Sequence, residues 1–140
     1  MATSNAERVR EYLRAIESMG SFETVFEFFA PEAVVREFPN RIAPQGRIRR
    51  LENLRETYEQ GRRIMRSQSY KIQHILEAGD DVAVELEWAG VLAVEVMNLP
   101  AGSELKAFVA MFLRFRDGKV VEQRNYDCYP PFEVKERTTL

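Results

Sequence analysis

Near the C-terminal end of the chain, Gln123, Asn125 and Asp127 recur at every second residue. That spacing sends successive side chains to one face of a β-strand. A carboxylate in line with two amides can take a proton from a carbon acid while neighbouring donors hold the oxygen that becomes negative. Apolar surroundings would raise the Asp127 pKa towards the range useful to a base. Glu37, after Val34-Val35, is a second candidate base, and the Tyr12 phenol is a candidate donor to a carbonyl oxygen. His74 is the only histidine and Cys128 the only cysteine. His74 alternates with Tyr70, Ile72 and Leu76, which makes it a strand residue able at most to touch a ligand, and Cys128 falls on the strand face opposite Asp127. Neither supplies a standard metal-ligand set, and no phosphate loop or nucleophile elbow is present. No metal and no cofactor is expected.

These residues need rigid strands beneath them. From Glu104 to Tyr129 the sequence reads ELKAFVAMFLRFRDGKVVEQRNYDCY. Asp117-Gly118 lies between two runs rich in β-branched and aromatic residues, a two-residue hairpin turn whose central positions need positive φ. Pairing outward from it predicts Phe115 against Val120, Phe112 against Gln123, Ala110 against Asn125 and Phe108 against Asp127. On that register Phe108, Ala110 and Phe112 share the inward face with Gln123, Asn125 and Asp127. Val109, Met111, Leu113 and Phe115 share the outward face with Tyr126.

Upstream, apolar residues at Val9, Tyr12, Leu13, Ile16 and Met19 have the spacing of a helical stripe, and a helix is expected from Asn5 to Met19 with Gly20 closing it. A short second helix is expected over Phe22–Phe29, with Phe26 and Phe29 turned inward, then a strand over Ala33–Phe38. A third helix from about Arg47 to Met65 would turn Ile48, Leu51, Leu54 and Tyr58 inward. Its arginines, Arg49 among them, would form a solvated outer face balanced by glutamates. Strands over Ser69–Glu77 and Val82–Met97 complete the sheet, with Trp88 as a flat apolar wall on a central strand. Three helices followed by antiparallel strands make an α+β domain in which helices cover one face of a curved sheet.

The 140 residues, 45% hydrophobic and 30% charged, suit one domain over 1–140 with a real core. A net charge of -2 gives no reason to expect nucleic acid or an anionic membrane as partner. One cysteine fits a reducing compartment. No apolar run reaches the roughly 18 residues of a membrane span, and MATSNAERVR lacks a signal-peptide core, so a cytoplasmic location is expected.

The stretches REYLRAIESMGSFETVFEFFAPEAVV, GDDVAVELEWAG and FLRFRDGKVVEQRNYDCY, in this order, resemble the SnoaL-like branch of the NTF2-like superfamily over nearly the whole chain. The resemblance implies a cone-shaped α+β barrel enclosing a mainly apolar cavity, commonly dimeric through the outer sheet face. It does not imply one activity. SnoaL-type cyclases and limonene epoxide hydrolase carry a working aspartate at the position of Asn125, so the departure leaves Asp127 as the substitute. Limonene epoxide hydrolase also carries an arginine and an aspartate where Trp88 and Gly90 stand, which argues against its mechanism. In similar ketosteroid isomerases the base falls at Glu37 and the oxyanion tyrosine at Tyr12, but Ala107–Leu113 holds no second oxyanion acid. Scytalone dehydratase needs two histidines, and only His74 exists.

Two functions remain open. One is a cofactor-independent isomerase, cyclase or lyase acting on an apolar cyclic or polyketide-like molecule, with Asp127 as base, Asn125 and Tyr12 orienting an oxygen and Glu37 as the other base. Trp88, Phe26, Phe29, Tyr58, His74, Phe108, Phe112 and Gln123 would contact the ligand. The other is a non-catalytic ligand-binding or interaction module. In either case the Val109-Met111-Leu113-Phe115 face suggests a homodimer.

Overall fold

Ser4 sets the start of the first helix. Its hydroxyl accepts from the Glu7 backbone N at 3.1 Å, satisfying a donor that the first turn leaves free. In the computed structural model, which describes residues 3–132, α1 runs Asn5–Glu17 and buries Val9, Tyr12 and Leu13. The chain leaves α1 through Met19, which takes the left-handed conformation (φ 53°) expected of Gly20. Helix α2 ends early, at Phe22–Phe26. Phe29 opens strand β1 (Phe29–Glu37), where it pairs with Val120. Aromatic residues fit a pleated surface well, and here sheet pairing overrides the helical spacing of the phenylalanines.

The same override acts at the third helix. Arg47–Arg49 form a short strand, β2, antiparallel to Val35–Glu37 of β1. Helix α3 begins only at Leu51 and runs to Ile64, with the Arg50 backbone N donating to Asn53 Oδ1 at 3.4 Å. Ile48, expected inside, is therefore exposed, and Met65 is a buried strand residue. The chain continues through β3 (Met65–Ala78), β4 (Asp81–Leu92), β5 (Glu104–Arg116) and β6 (Lys119–Cys128). The six strands form one curved sheet in the order β2-β1-β6-β5-β4-β3. Its neighbours are antiparallel except β1 and β6, which run parallel. The sheet is thus mixed, where antiparallel pairing throughout was expected. The long crossover from β1 to β6 supplies the connection that a parallel pair requires.

One residue decides what faces inward. Asp117 (φ 53°) and Gly118 (φ 75°) make the turn, and Phe115 faces Val120 as expected. The next pair is Arg114 with Glu122, so Val121 is an extra residue in β6. Such a bulge reverses the face of everything beyond it. Leu113 meets Gln123, Met111 meets Asn125, and Val109 meets Asp127. The apolar row expected outside is therefore core. Phe108 and Phe112, expected inside, point outward and are 47% and 38% exposed. The polar row of β6 faces inward as expected, against different partners.

The main core packs α1, α2 and the start of β1 against the inner faces of β4 and β5, including Leu13, Phe28, Leu86, Met111 and Leu113. Among the described residues, no helix is long and apolar enough to cross a membrane.

Candidate functional site

The helices do not fill the space above the sheet. No residue of α3 is fully buried, and the pairing row Tyr70–Trp88–Ala107 has only a methyl group at its end. A pocket of about 300 Å³ lies there, between α1, α3 and the inner face of the sheet. Trp88 forms one wall, and its Nε1 donates to Gln68 Oε1 at 3.0 Å, which fixes the ring. Two residues on, Gly90 leaves room for that indole.

On β6 the polar row is wired from one end. The Tyr12 hydroxyl donates to Gln123 Oε1 at 2.9 Å, and Gln123 Nε2 donates to Asn125 Oδ1 at 2.9 Å. The phenol proton thereby sets the orientation of both amides and leaves Asn125 Nδ2 as a donor at the pocket wall. Gln123 is only 4% exposed, so this chain must be satisfied internally. Tyr12 is buried, and burial raises its phenol pKa well above the ordinary value despite the bond to Gln123. Its proton is thus committed to Gln123.

Asp127 ends the row. Its Oδ1 is buried with no hydrogen-bond partner among the described residues. Burial pushes the carboxyl up to about 6; the charge of Glu37 adds to the shift and Arg49 opposes it. Around it stand groups that the sequence reading did not select. Arg49 lines the pocket from β2, its Nη2 3.5 Å from Glu37 Oε1. Tyr70 on β3 and Tyr129 just after β6 line it too, and burial raises both phenols, with the Asp127 charge contributing. The spacing around Arg49 reads as helix and places it on a solvated face, whereas the residue lies in a strand that turns it to the pocket. Tyr70 carried a signal, the alternation Gln68, Tyr70, Ile72 along a strand.

The pocket brings together Asp127, Asn125, Gln123, Tyr12, Trp88, Phe29 and Tyr58. Glu37 stays out of the lining: Asn40 Nδ2 donates to its Oε2 at 2.8 Å, and Arg49 and Arg47 flank Oε1. It faces inward on β1, but its carboxylate is occupied in holding Arg49. Phe26 is exposed because α2 turns it outward. His74 is exposed on β3 opposite Glu85, beyond a bulge between Ile72 and His74. Phe108 and Phe112 lie on the other side of the sheet. Among the described residues, no group of three histidine, cysteine, aspartate or glutamate side chains could hold a metal ion.

A family model described as a SnoaL-like domain matches residues 9–123. Among solved structures, the chain is similar to IdmH of Streptomyces antibioticus, described provisionally as a polyketide cyclase. The identity is 25% and the TM-score 0.75, over 89% of this chain and 92% of that one. An LEH-like epoxide hydrolase of M. tuberculosis is 17% identical with a TM-score of 0.68, over 88% and 81% of the two chains. A protein of Catenulispora acidiphila with a ketosteroid isomerase-like fold, in complex with trimethylamine, is 18% identical with a TM-score of 0.69, over 86% and 84%. These last two likenesses show the fold. No curated protein matches the chain.

Proposed function

The chain belongs to the SnoaL-like domain family, and from that premise we propose that its pocket binds a neutral, largely apolar cyclic or polyketide-like molecule and moves a proton on it without a cofactor. Asp127 takes a proton from a carbon next to a carbonyl, and Asn125 Nδ2 donates to the carbonyl oxygen. Return of that proton to another carbon, or attack of the carbanion within the molecule, makes the outcome an isomerisation or a ring closure. Trp88, Phe29 and Tyr58 provide the apolar walls, and Tyr12 acts through Gln123.

The observation that carries this reading is the buried, unpartnered Asp127 Oδ1 beside a pocket. An unsatisfied carboxyl oxygen costs stability, and carboxyls perturbed by burial cluster at functional sites. The test is hydrogen exchange. In D₂O, α-protons of 1- and 2-tetralone should exchange faster with the protein than in buffer, and Asp127→Asn should reduce the acceleration by roughly 10²-fold or more. The rival reading, a non-catalytic binding module, is favoured by Asn125 standing where relatives carry an acid. It predicts tetralone binding with exchange no faster than in buffer.

The outer sheet face supports a second, independent proposal: two copies of the chain pair through it in the cytoplasm. Phe38 stacks on Tyr126 at 4.3 Å between ring centroids, and Phe112 meets Tyr126 edge-on at 5.9 Å. With Phe108 these rings form an exposed apolar patch of a kind that marks interaction surfaces. Two of these rings, Phe108 and Phe112, are those expected inside the pocket, and the row expected to form the interface is core instead.

A further inference from the structure

Four tyrosines line the pocket, and two have their hydroxyls engaged by the protein. Tyr12 donates to Gln123, and Tyr58 donates to the Gly20 carbonyl at 2.8 Å. Tyr129 follows the last strand and packs against Phe132. Tyr129, like Tyr70, has a hydroxyl without a hydrogen-bond partner among the described residues, but it lies outside the strands, whereas Tyr70 is held in one. Tyr70 sits within β3, and its backbone N donates to Glu17 Oε1 at 2.7 Å. The C-terminal residue of α1 therefore clips an amide of the sheet's edge strand and holds Tyr70 at a fixed height. Its hydroxyl has no hydrogen-bond partner among the described residues, although the ring lines the pocket.

Register places Tyr70 relative to the base, and both line the same pocket. Ile72, Leu86, Val109 and Asp127 form one row across the sheet, and Tyr70, Trp88 and Ala107 form the adjacent one. Ala107 contributes only a methyl group, so the space between the Tyr70 and Asp127 ends of these rows is open. We propose that Tyr70 is a second oxyanion donor of the pocket, hydrogen-bonding the substrate oxygen together with Asn125 Nδ2 while Asp127 works on the neighbouring carbon. The assignment rests on the reading of Asp127 as the base. When the C–H bond breaks, its proton goes to Asp127, its electron pair forms the enolate double bond, and the carbonyl π pair moves onto the oxygen facing Tyr70. Tyr70 keeps its own proton throughout, and Asp127 later returns the one it took. Burial, with Tyr12 and Asp127 adding to it, raises the Tyr70 phenol far above its ordinary value, which suits a group that donates a hydrogen bond without ionising. Tyr70 thus takes the place of the second oxyanion acid that Ala107–Leu113 does not contain.

Binding of 2-naphthol, which presents an enol-like oxygen on a bicyclic ring, is compared with binding of naphthalene, which lacks it. Wild type should prefer 2-naphthol, and Tyr70→Phe should reduce that preference roughly tenfold while naphthalene affinity and melting temperature hold. An unchanged preference in Tyr70→Phe overturns the Tyr70 assignment alone. Failure of wild type to bind either compound overturns it together with the pocket reading. If Tyr70→Phe does not fold, wild type with ¹³Cζ-labelled tyrosine gives the answer. The Tyr70 signal is the one that persists in the Tyr12→Phe, Tyr58→Phe, Tyr126→Phe and Tyr129→Phe variants; its shift by 2-naphthol but not by naphthalene supports the assignment, and no such shift overturns it.

Discussion

The indole of Trp88 lies against Gly90: a Cβ on that glycine would stand 2.8 Å from Trp88 Cζ2 and would also collide with Met65 Cε. The methionine end can swing away, whereas the indole is tethered to Gln68 at 3.0 Å. Gly90→Ala should therefore push the ring into the pocket and destabilise the protein by about 1–3 kcal/mol, the usual cost of overpacking. Urea unfolding measures the loss, and tryptophan fluorescence reports the displaced ring. A variant as stable as wild type, with an unshifted spectrum, would show that the glycine is not what seats the indole.

Asp127 makes stability depend on pH in an unusual direction. Its carboxyl is raised from the ordinary 3.8 to about 6 in the folded protein. Between those values the folded state holds a proton that the unfolded chain has lost, so stability falls as pH rises through this window, and the deficit persists above it. Two units correspond to about 3 kcal/mol. Asp127→Asn should thus be more stable than wild type at pH 7 by up to that amount, with the advantage gone near pH 4. Urea midpoints at the two pH values decide it. An equal difference at both would mean that the carboxyl titrates normally.

Ala107 governs the volume of the pocket. It is buried at the end of the Tyr70–Trp88 row, with its methyl group on the pocket wall. Ala107→Leu adds three carbons directed into existing space, so binding of tetralone or 2-naphthol should be lost while the unfolding free energy measured in urea falls by no more than about 1–3 kcal/mol. Retained binding would locate the ligand elsewhere.

The outer face offers a test of assembly. Phe108→Glu with Phe112→Arg places charges in the proposed interface without touching the pocket. Sedimentation at micromolar concentration should show a dimer for wild type and a monomer for the double variant. A wild-type monomer would remove the proposal.

Much of this architecture could be read from the chain. The period of two in Gln123, Asn125 and Asp127 identified the inward row of β6, and Asp117-Gly118 located the turn. Failures arose where a long-range partner outweighed a local preference. Phe29 and Arg47–Arg49 look helical until β6 and β1 give them strands to pair with. The bulge at Val121 was hidden for another reason. Lys119-Val120-Val121-Glu122 contains no glycine or proline to announce it, and both faces of β5 are apolar enough to pass for core. A single inserted residue thus exchanged the roles of two rows: Val109, Met111 and Leu113 became interior, and Phe108 and Phe112 became surface. Arg49 and Tyr70 entered the site only once the strands around them were in place.

The parallel seam between β1 and β6 has a consequence for biogenesis. The strand bearing Asn125 and Asp127 is inserted between β1 and β5, and its β1 partner lies about ninety residues earlier in the chain. On the ribosome, β1 and the β3–β5 meander would be complete while two open sheet edges still awaited the final strand. Closing so long a loop is slow, and unpaired edges invite aggregation in the meantime. The inward row of Gln123, Asn125 and Asp127 is therefore completed only when this strand docks.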